Sequence, residues 1–520
     1  MPTTASAFDD RDLAQLRAHG IPREEAERQL ELLRHPPPPV RLARPATVGD
    51  GIERLDDGER RRLAETARAA RGDGRFVKFV PASGAASRMF KDLETLLHGD
   101  ATDDDTAAVF LARLDDFAFV EDLAAALAAG GDDLAALRRR RELRPILDAL
   151  LTDAGGHGLG YASLPKGLIR FHRYPGGERR TAFDEHLVEA VPQLADAAGL
   201  CRLHFTVSPE HRAGFERRLE EARPDYEARF GCRLEVAWSH QEHATDTLAV
   251  DPRGRPFRTD DGRLLLRPGG HGALLGNLQA AGGGLTFVKN VDNVLPDARK
   301  PEVVEWKLAL AGRLLALRER AFALLDRLEA GDAGAAALDE AARFLADELR
   351  RPLPAPLAAA PADERRAALV DRLDRPLRVA GVVANVGEPG GGPFWVEGGD
   401  GERSLQIVEA SQAAADDTQQ QATLRSSTHF NPVDLVCSLA DRRGRPYELA
   451  RFVDPQTVFI AEKSHQGRRL HALERPGLWN GAMAGWNTVF LEVPLATFAP
   501  VKTVFDLLRP EHQTGVPPGG

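Results

Sequence analysis

The sequence is poor in cysteine, and the three cysteines that it has are widely separated. Cys201, Cys232 and Cys437 lie far apart in a chain of 520 residues and form no C-x-x-C pair. This pattern argues against a disulfide framework and against a zinc site. It is typical of a protein that works in the reducing cytoplasm, and we expect a cytoplasmic location.

Long hydrophobic runs and an excess of basic charge are also missing. No stretch of about 18 apolar residues occurs, and the N-terminus has neither a charged region nor an apolar region of the signal-peptide kind. The formal net charge is −10, with acidic and basic residues mixed along the chain. We therefore expect no membrane partner and no nucleic-acid partner, because the latter needs a basic face.

Lysine is scarce as well, since the basic residues are almost all arginine. The eight lysines are Lys78, Lys91, Lys166, Lys289, Lys300, Lys307, Lys463 and Lys502. An arginine-biased genome explains this in the simplest way. The alternative is that a retained lysine marks a place that needs a compact ammonium group rather than a planar guanidinium.

The length predicts about two to four domains. Short strands at Phe76–Val80, Leu200–Val207 and Leu234–Trp238 alternate with helical patterns, which predicts an α/β fold with a mostly parallel sheet flanked by helices. The predicted segments are an N-terminal helical segment with a proline linker (1–40), the start of the core (41–91), a helical insertion (92–160), the continued core (161–300), a second helical insertion (301–375), the C-terminal half of the core (376–512) and a disordered tail (513–520).

One stretch, residues 76–91, reads as strand, tight loop and helix start. The residues from Ala82 to Ser87 are all small, which lets backbone N–H groups approach an anion closely, and Arg88 and Lys91 follow. The loop matches neither a Walker sequence nor a Rossmann fingerprint. A phosphate loop and an ordinary turn between strand and helix are equally good interpretations of this stretch alone.

Further candidate residues follow later strands. Gly269, Gly270 and Gly272 surround His271 in a turn that opens a helix, which favours backbone pressed against a flat ligand over a simple capping turn. Asp292 stands at a strand end, where one carboxylate with phosphate oxygens and water is a common Mg²⁺ arrangement, although a lone Asp there is otherwise a loop cap. His186 reads as a histidine on a helix surface.

The order of several short motifs resembles that of UDP-glucose and UDP-N-acetylhexosamine pyrophosphorylases, the uridylyltransferases that make UDP-sugars. Each motif is short, and the strength of the resemblance lies in their shared order over residues 83–503. The matching stretches are Ser83–Arg88, Pro165–Gly167 with Thr181–Phe183, His240–Gln241, Pro268–Gly272, Val291–Asn293, Ile407–Gln412, Thr428–Phe430 and Phe498–Thr503. The whole chain also resembles a bacterial family described only as a domain of unknown function.

This resemblance implies a nucleotide-diphospho-sugar transferase (GT-A-like) fold with helical insertions, in which residues 376–512 bind the sugar phosphate. It implies Mg²⁺-dependent joining of a nucleoside triphosphate, with UTP favoured, to a sugar 1-phosphate, with release of pyrophosphate. The implied roles are catalysis by Arg88, Lys166 and Lys502, nucleotide binding by Ala82, Ser83, Gly84, Ala85, Gln241, Gly269, Gly270 and His271, sugar binding by Asn293, Glu409 and His429, and metal binding by Asp292.

The first loop departs from the motif of these enzymes. Ala82, Ser83 and Ala86 stand where the enzymes carry glycine, and each adds atoms where backbone lies against the ligand. The alternative function is therefore a nucleotide- or nucleotide-sugar-binding protein on the same fold without transferase activity. The sequence leaves the base, the sugar and the oligomeric state open.

Overall fold

The computed structural model describes residues 7–99, 104–330, 334–387, 390–399 and 401–515. The predicted tail at 513–520 lies outside this range from residue 516 onward. The helices are α1 (Asp10–Ala18), α2 (Arg23–Arg34), α3 (Asp57–Arg71), α4 (Lys91–His98), α5 (Asp104–Ala112), α6 (Val120–Ala129), α7 (Leu134–Arg140), α8 (Leu143–Leu151), α9 (Ala182–Leu194), α10 (Arg212–Phe230), α11 (Leu275–Ala281), α12 (Lys300–Glu329), α13 (Ala335–Asp347), α14 (Ala355–Ala358), α15 (Ala362–Leu373) and α16 (Thr418–Arg425).

The strands are short and numerous. They are β1 (Leu42–Pro45), β2 (Thr47–Val48), β3 (Gly51–Glu53), β4 (Phe76–Pro81), β5 (Arg170–Arg173), β6 (Arg179–Thr181), β7 (Leu200–Thr206), β8 (Arg233–Ser239), β9 (Thr247–Val250), β10 (Leu266–Arg267), β11 (Leu285–Lys289), β12 (Leu377–Ala384), β13 (Gly392–Glu397), β14 (Arg403–Val408), β15 (His429–Ser438), β16 (Phe459–His465), β17 (Arg468–Glu474) and β18 (Asn487–Glu492).

The chain divides into two compact units, each built from three separate segments. Unit 1 comprises Met1–Asp56, His240–Thr286 and Arg313–Glu492. Unit 2 comprises Asp57–Ser239, Phe287–Gly312 and Val493–Gly520.

Unit 2 contains the strands that the sequence predicts most clearly, with β11 entering it from Phe287 onward. Strands β11, β4, β7 and β8 lie side by side in that order, and β7 pairs in parallel with both β4 and β8. Five of the six β4 residues are buried. This fits the sequence Phe-Val-Lys-Phe-Val, in which Lys78 is the one polar residue. Helix α9 begins at the predicted cap Thr181, whose side chain accepts a hydrogen bond from Asp184 N.

Unit 1 contains three groups of paired strands. In the largest, β2, β3, β18, β12 and β15 follow one another, and all neighbours are parallel except β12 and β15. The order in the second is β10, β9, β17, β16, and in the third it is β1, β13, β14. The N-terminal hairpin α1–α2 packs its apolar residues against β9 and β17, with Leu30 and Leu248 in one buried cluster.

The mixed α/β class with mostly parallel strands is therefore confirmed. The described part of 92–160 contains helices α4 to α8. The stretch 76–91 runs, as the sequence predicts, from strand β4 through a loop to the start of a helix. A 3₁₀ turn at Ala86–Arg88 precedes α4, which begins at Lys91. Within the described residues, no helix combines the length and the hydrophobicity that crossing a membrane requires.

Helix α9 buries an unusual number of charged side chains. Glu189 is fully buried and accepts from the ammonium groups of Lys78 at 2.8 Å and Lys289 at 2.6 Å. Although burial alone would raise it, these two ammonium groups hold the pKa of Glu189 well below its usual range. Burial lowers the pKa of Lys289 to about 7. The network joins α9 to β4 and β11 at one point in the interior of unit 2.

His186 lies in the same interior, and the sequence interpretation of it as a surface residue is wrong. Its side chain is fully buried, and its Nε2 lies 3.1 Å from the carbonyl oxygen of Val291. Burial and the neighbouring Lys78 lower the pKa of His186 well below its usual value. The histidine thus holds the backbone immediately before Asp292 as a neutral group.

We expect acid to destabilise unit 2 through its buried histidines. Burial and the neighbouring His172 lower the pKa of His512 to about 3, so the unfolded chain binds this proton more tightly than the folded chain. The stabilisation that depends on neutral His512 is therefore complete above about pH 6.5 and is lost as the pH falls toward 3. Urea unfolding should show that the free energy of unfolding falls between pH 7 and pH 5, and that this fall is about 2 kcal/mol smaller in His512→Gln. Equal losses in the two proteins would contradict this assignment.

Candidate functional site

The small-residue loop after β4 is held in place by backbone hydrogen bonds. Ala82 N donates to Thr206 O at 2.8 Å, and Ala86 N donates to Leu164 O at 2.9 Å. Gly84 and Ala85 are exposed, and a Cβ on Gly84 would meet no atom within 4 Å. Packing within the protein therefore does not require glycine at position 84. The space in front of the loop at this point is open.

Lys166 joins the loop to the end of β11. Its backbone N donates to Gly84 O at 3.3 Å. Its ammonium group lies 2.8 Å from Asp292 Oδ2 and 2.7 Å from Val501 O. The side chains of Lys166 and Asp292 are 15% and 20% exposed, respectively, so the ion pair is largely sheltered yet can be reached from outside.

The C-terminal segment closes this arrangement. Val501 N donates to Asp292 O at 3.1 Å, and Val504 N donates to Met89 O at 2.9 Å. Asn293 Oδ1 accepts from Ala499 N at 3.1 Å. Four stretches that are far apart in the sequence therefore meet in unit 2, and we call them together the lysine site: 82–88, 165–167, 292–293 and 499–503.

Lys502 and Arg88 lie in these stretches and differ in how far their side chains are buried. Lys502 is half-buried, and its backbone N donates to Asp506 Oδ2 at 2.8 Å. Asp506 also caps the 3₁₀ turn that starts after Thr503, so it fixes the backbone that carries Lys502. Sequence reasoning did not select Asp506, although Thr503 with Asp506 has the spacing of a capping box. The exposed Arg88 side chain makes no hydrogen bond or ion pair to a described residue.

Asp292 is the predicted Mg²⁺ ligand, and the donors around it fit that role. Mg²⁺ in proteins commonly takes one or two carboxylates and completes its shell with water and substrate phosphate oxygens. Lys166 occupies Oδ2 of Asp292, whereas Oδ1 makes no hydrogen bond to a described residue. Asp292 Oδ1 can therefore hold the ion together with a phosphate bound in the open space beside Gly84.

The glycine turn lies in unit 1, where His271 stacks on an aromatic residue. The ring centroids of His271 and Trp479 are 4.1 Å apart with an interplanar angle of 15°. The Nδ1 atom of His271 accepts from Leu478 N at 2.9 Å, which fixes its ring orientation. Gly270 has φ +74°, a backbone conformation that glycine adopts without strain.

We expect Gly272→Ala to destabilise unit 1 by about 1–3 kcal/mol. A Cβ at this position would lie 2.0 Å from Pro476 O, which is backbone and cannot swing aside. The matched control is Gly276→Ala in α11, where a Cβ would meet nothing within 4 Å and helix propensity improves. Thermal melts of both variants test this, and equal melting temperatures would contradict the close packing of the turn.

Glu409 stands at the end of β14, as the sequence predicts, and it lies next to His271. His271 Nε2 is 3.7 Å from Glu409 Oε1. Asn480 Nδ2 donates to Glu409 Oε1 at 3.3 Å and to Gln412 Oε1 at 3.1 Å. We call His271, Glu409, Trp479 and Asn480 the histidine site. Trp479 and Asn480 were missed, although an aromatic residue in a loop bounded by Gly477 and Gly481 was a usable signal.

Two predicted residues have their described contacts outside these sites. Gln241 Nε2 lies 3.5 Å from Asp246 Oδ1, in the loop before β9. His429 is buried in β15, where its Nδ1 is 2.8 Å from Thr428 Oγ1 and its Nε2 is 3.3 Å from Glu492 Oε1. Their assigned roles in nucleotide and sugar binding stay predictions.

The fold and the two sites define a mixed α/β protein in which one unit carries a small-residue loop with a lysine–aspartate pair and the other carries a glycine turn with a stacked histidine. The chain belongs to the family described as Domain of unknown function (DUF4301), whose model matches residues 9–513. No curated protein matches the chain.

Among solved structures, the chain is similar to UDP-sugar pyrophosphorylases. The uridine diphosphate N-acetylglucosamine pyrophosphorylase from Trypanosoma brucei is 14% identical with a TM-score of 0.47, over 96% of this chain and 79% of that one. The UDP-glucose pyrophosphorylase from Leishmania major is 13% identical with a TM-score of 0.45, over 97% of this chain and 79% of that one.

Proposed function

We propose that the protein is a nucleotidyltransferase that joins a nucleoside triphosphate, with UTP favoured, to a sugar 1-phosphate and releases pyrophosphate. The observation that carries this proposal is the lysine site. Its four stretches were selected from the sequence for their order, and the fold brings them into contact around the Lys166–Asp292 pair. A plain turn between strand and helix would need no such convergence.

The reaction requires positioning and charge neutralisation more than covalent help. An oxygen of the sugar phosphate attacks the α-phosphorus of the triphosphate, the new P–O bond forms, and the bond between the α-phosphorus and the bridging oxygen breaks so that pyrophosphate leaves. Lys166 and Arg88 would hold the triphosphate. Lys502, whose backbone Asp506 fixes, would hold the phosphate of the sugar phosphate.

Asp292 would hold Mg²⁺ through the oxygen that Lys166 leaves free. When bound, the ion would neutralise phosphate charge during the transfer. The Lys166 ammonium group, 2.8 Å from Asp292 Oδ2, would hold the carboxylate in one orientation with Oδ1 facing the ion.

The histidine site of unit 1 suits recognition of uncharged parts of the substrates. His271 and Trp479 form a flat surface of the kind on which a base or sugar ring can pack. Glu409, with Asn480 beside it, offers a carboxylate that accepts hydrogen bonds from sugar hydroxyls. We assign base contact to the 269–272 turn and sugar contact to Glu409.

A thermal-shift panel tests the proposal and identifies substrates. It contains Mg²⁺ with each of UTP, GTP, CTP, ATP and dTTP, and with the matching UDP- and GDP-sugars. A ligand at about 100 times its Kd stabilises the folded state by roughly 2.7 kcal/mol. We expect one nucleotide and its sugar conjugate to raise the melting temperature together. No shift with any of them would contradict the proposal.

The alternative is a binding protein without transfer, and the altered loop favours it. Ala86 is fully buried, and its N–H donates to Leu164 O. This N–H is therefore not available to a phosphate, whereas the N–H of an exposed glycine would be. Under this alternative the same ligands raise the melting temperature, but no pyrophosphate is released when both substrates are supplied.

A further inference from the structure

A third cluster of side chains lies in unit 1, apart from the two sites described above. His19, His243 and Asp246 each point one donor atom toward the others, and these atoms all lie within 4.8 Å of one another. The cysteine scarcity of the sequence argues against a thiolate metal site, but it does not bear on imidazole and carboxylate donors.

The fold builds the cluster from two turns that pack together. His19 ends α1, where its backbone N–H donates to Gln15 O and Leu16 O. A Cβ on Gly20 would lie 3.3 Å from Ala244 Cβ, so the end of α1 sits directly against the 3₁₀ turn His243–Thr245. Asp246 N donates to His243 O at 3.0 Å, and a separation of three residues places their side chains on the same face of that turn.

The distances match a metal site better than a hydrogen-bonded cluster. His19 Nε2 and His243 Nδ1 are each 3.7 Å from Asp246 Oδ2, which is beyond hydrogen-bond range. Bonds of about 2.0–2.1 Å to a tetrahedral ion place its donors roughly 3.3–3.4 Å apart. The two distances to Asp246 Oδ2 would close on an ion by a few tenths of an ångström, and the three donor atoms all lie within 4.8 Å of one another.

We propose that His19 Nε2, His243 Nδ1 and Asp246 Oδ2 bind a divalent transition-metal ion of the Zn²⁺ class. Two imidazoles with one carboxylate suit Zn²⁺, Co²⁺ or Ni²⁺, whereas Mg²⁺ prefers oxygen donors alone. Gln241 Nε2 lies 3.5 Å from the second oxygen, Asp246 Oδ1, and this contact orients the carboxylate. Three protein ligands leave a position for water.

The bound ion joins the N-terminal hairpin to the backbone behind the histidine site. Arg475 Nε donates to Thr245 O at 2.8 Å, and Arg475 N donates to Gly269 O at 2.8 Å. A Cβ on Gly269 would lie 2.6 Å from Thr245 O, so the metal-bearing turn and the glycine turn are in direct contact. The ion thereby fixes the far end of α1 to the turn that carries Gly269 and His271.

Titration calorimetry of Zn²⁺ into the chelator-treated full chain tests this site independently of the proposed function. We expect one tight site whose affinity falls at least about tenfold in His243→Ala and in His19→Ala, since loss of an outer-shell partner alone typically costs about 10- to 100-fold. The His243 side chain is 77% exposed, so its removal leaves the fold intact. Excess Mg²⁺ should not compete.

The matched control is His35→Ala, which removes another exposed histidine of unit 1 that lies 2.9 Å from a carboxylate, that of Glu31. This variant should bind Zn²⁺ like the unmodified protein. The Co²⁺-loaded protein should show visible absorption bands that His243→Ala loses. Absence of saturable Zn²⁺ binding, or equal affinity of His243→Ala and His35→Ala, would overturn the proposal.

Discussion

Replacing Lys166 by alanine should lower turnover by about 10²- to 10³-fold, the usual cost of removing one group that stabilises charge in a transition state. The Lys166 ammonium group lies 2.8 Å from Asp292 Oδ2 and 2.7 Å from Val501 O, at the meeting point of the four stretches. In the proposed reaction its loss would remove a positive charge from the phosphates, and it would leave Asp292 without its ammonium partner. The measurement is the rate of pyrophosphate release from UTP in the presence of a sugar 1-phosphate and Mg²⁺.

A second lysine provides the matched control. Lys463 is a half-exposed residue of β16 in unit 1, 3.8 Å from Glu474, and Lys463→Ala should leave turnover unchanged. A thermal melt of Lys166→Ala separates lost chemistry from lost folding. If Lys166→Ala stays folded and turns over at the rate of Lys463→Ala, Lys166 is not part of the transfer machinery.

Replacing Glu189 by glutamine should destabilise the protein by about 3–5 kcal/mol, the typical cost of breaking a buried ion pair. Glu189 is fully buried between the ammonium groups of Lys78 and Lys289. The variant leaves both lysines inside unit 2 with no carboxylate between them. Lys78 belongs to β4, which leads to the small-residue loop, and Lys289 ends β11, three residues before Asp292. The same variant should therefore also loosen the lysine site.

Urea unfolding of Glu189→Gln measures the loss, and Glu65→Gln is the control. Glu65 pairs with Arg68 at 3.3 Å, but its side chain is 73% exposed, and an exposed pair contributes only about 0–1 kcal/mol. Adding Lys289→Met to Glu189→Gln should restore part of the stability, because it removes one of the unpaired charges. A loss in Glu189→Gln no larger than that in Glu65→Gln would contradict the network.

The sequence predicted the parts of the fold that follow from local pattern. The apolar run of β4, the capping box at Thr181 and the strand that ends at Glu409 all have signals within a few residues. The order of the short motifs also selected the four stretches that make contact in the lysine site. That Lys166 reaches both Asp292 and Val501 could not be derived in this way, because contacts between residues more than a hundred positions apart depend on packing.

The buried charges were the least predictable feature. His186 reads as a surface residue because α9 carries three acidic residues around it, yet every residue of the helix except Val191 and Pro192 is buried. The signal that could have revealed this was the scarcity of lysine. Lys78, Lys289, Lys300 and Lys307, half of the eight lysines, are buried in unit 2.

Exchange of labelled pyrophosphate into UTP tests the central claim most directly, because it requires the bond at the α-phosphorus to break and reform. The assay uses the full chain with Mg²⁺, UTP and labelled pyrophosphate, with and without sugar 1-phosphates and UDP-sugars, and with Lys166→Ala beside it. We predict label in UTP when a UDP-sugar is added or is formed from UTP and a sugar 1-phosphate, no label when both sugar compounds are left out, and about 10²- to 10³-fold slower labelling with Lys166→Ala. No exchange with any UDP-sugar that raises the melting temperature would contradict the transferase and leave the protein as a binder of such ligands.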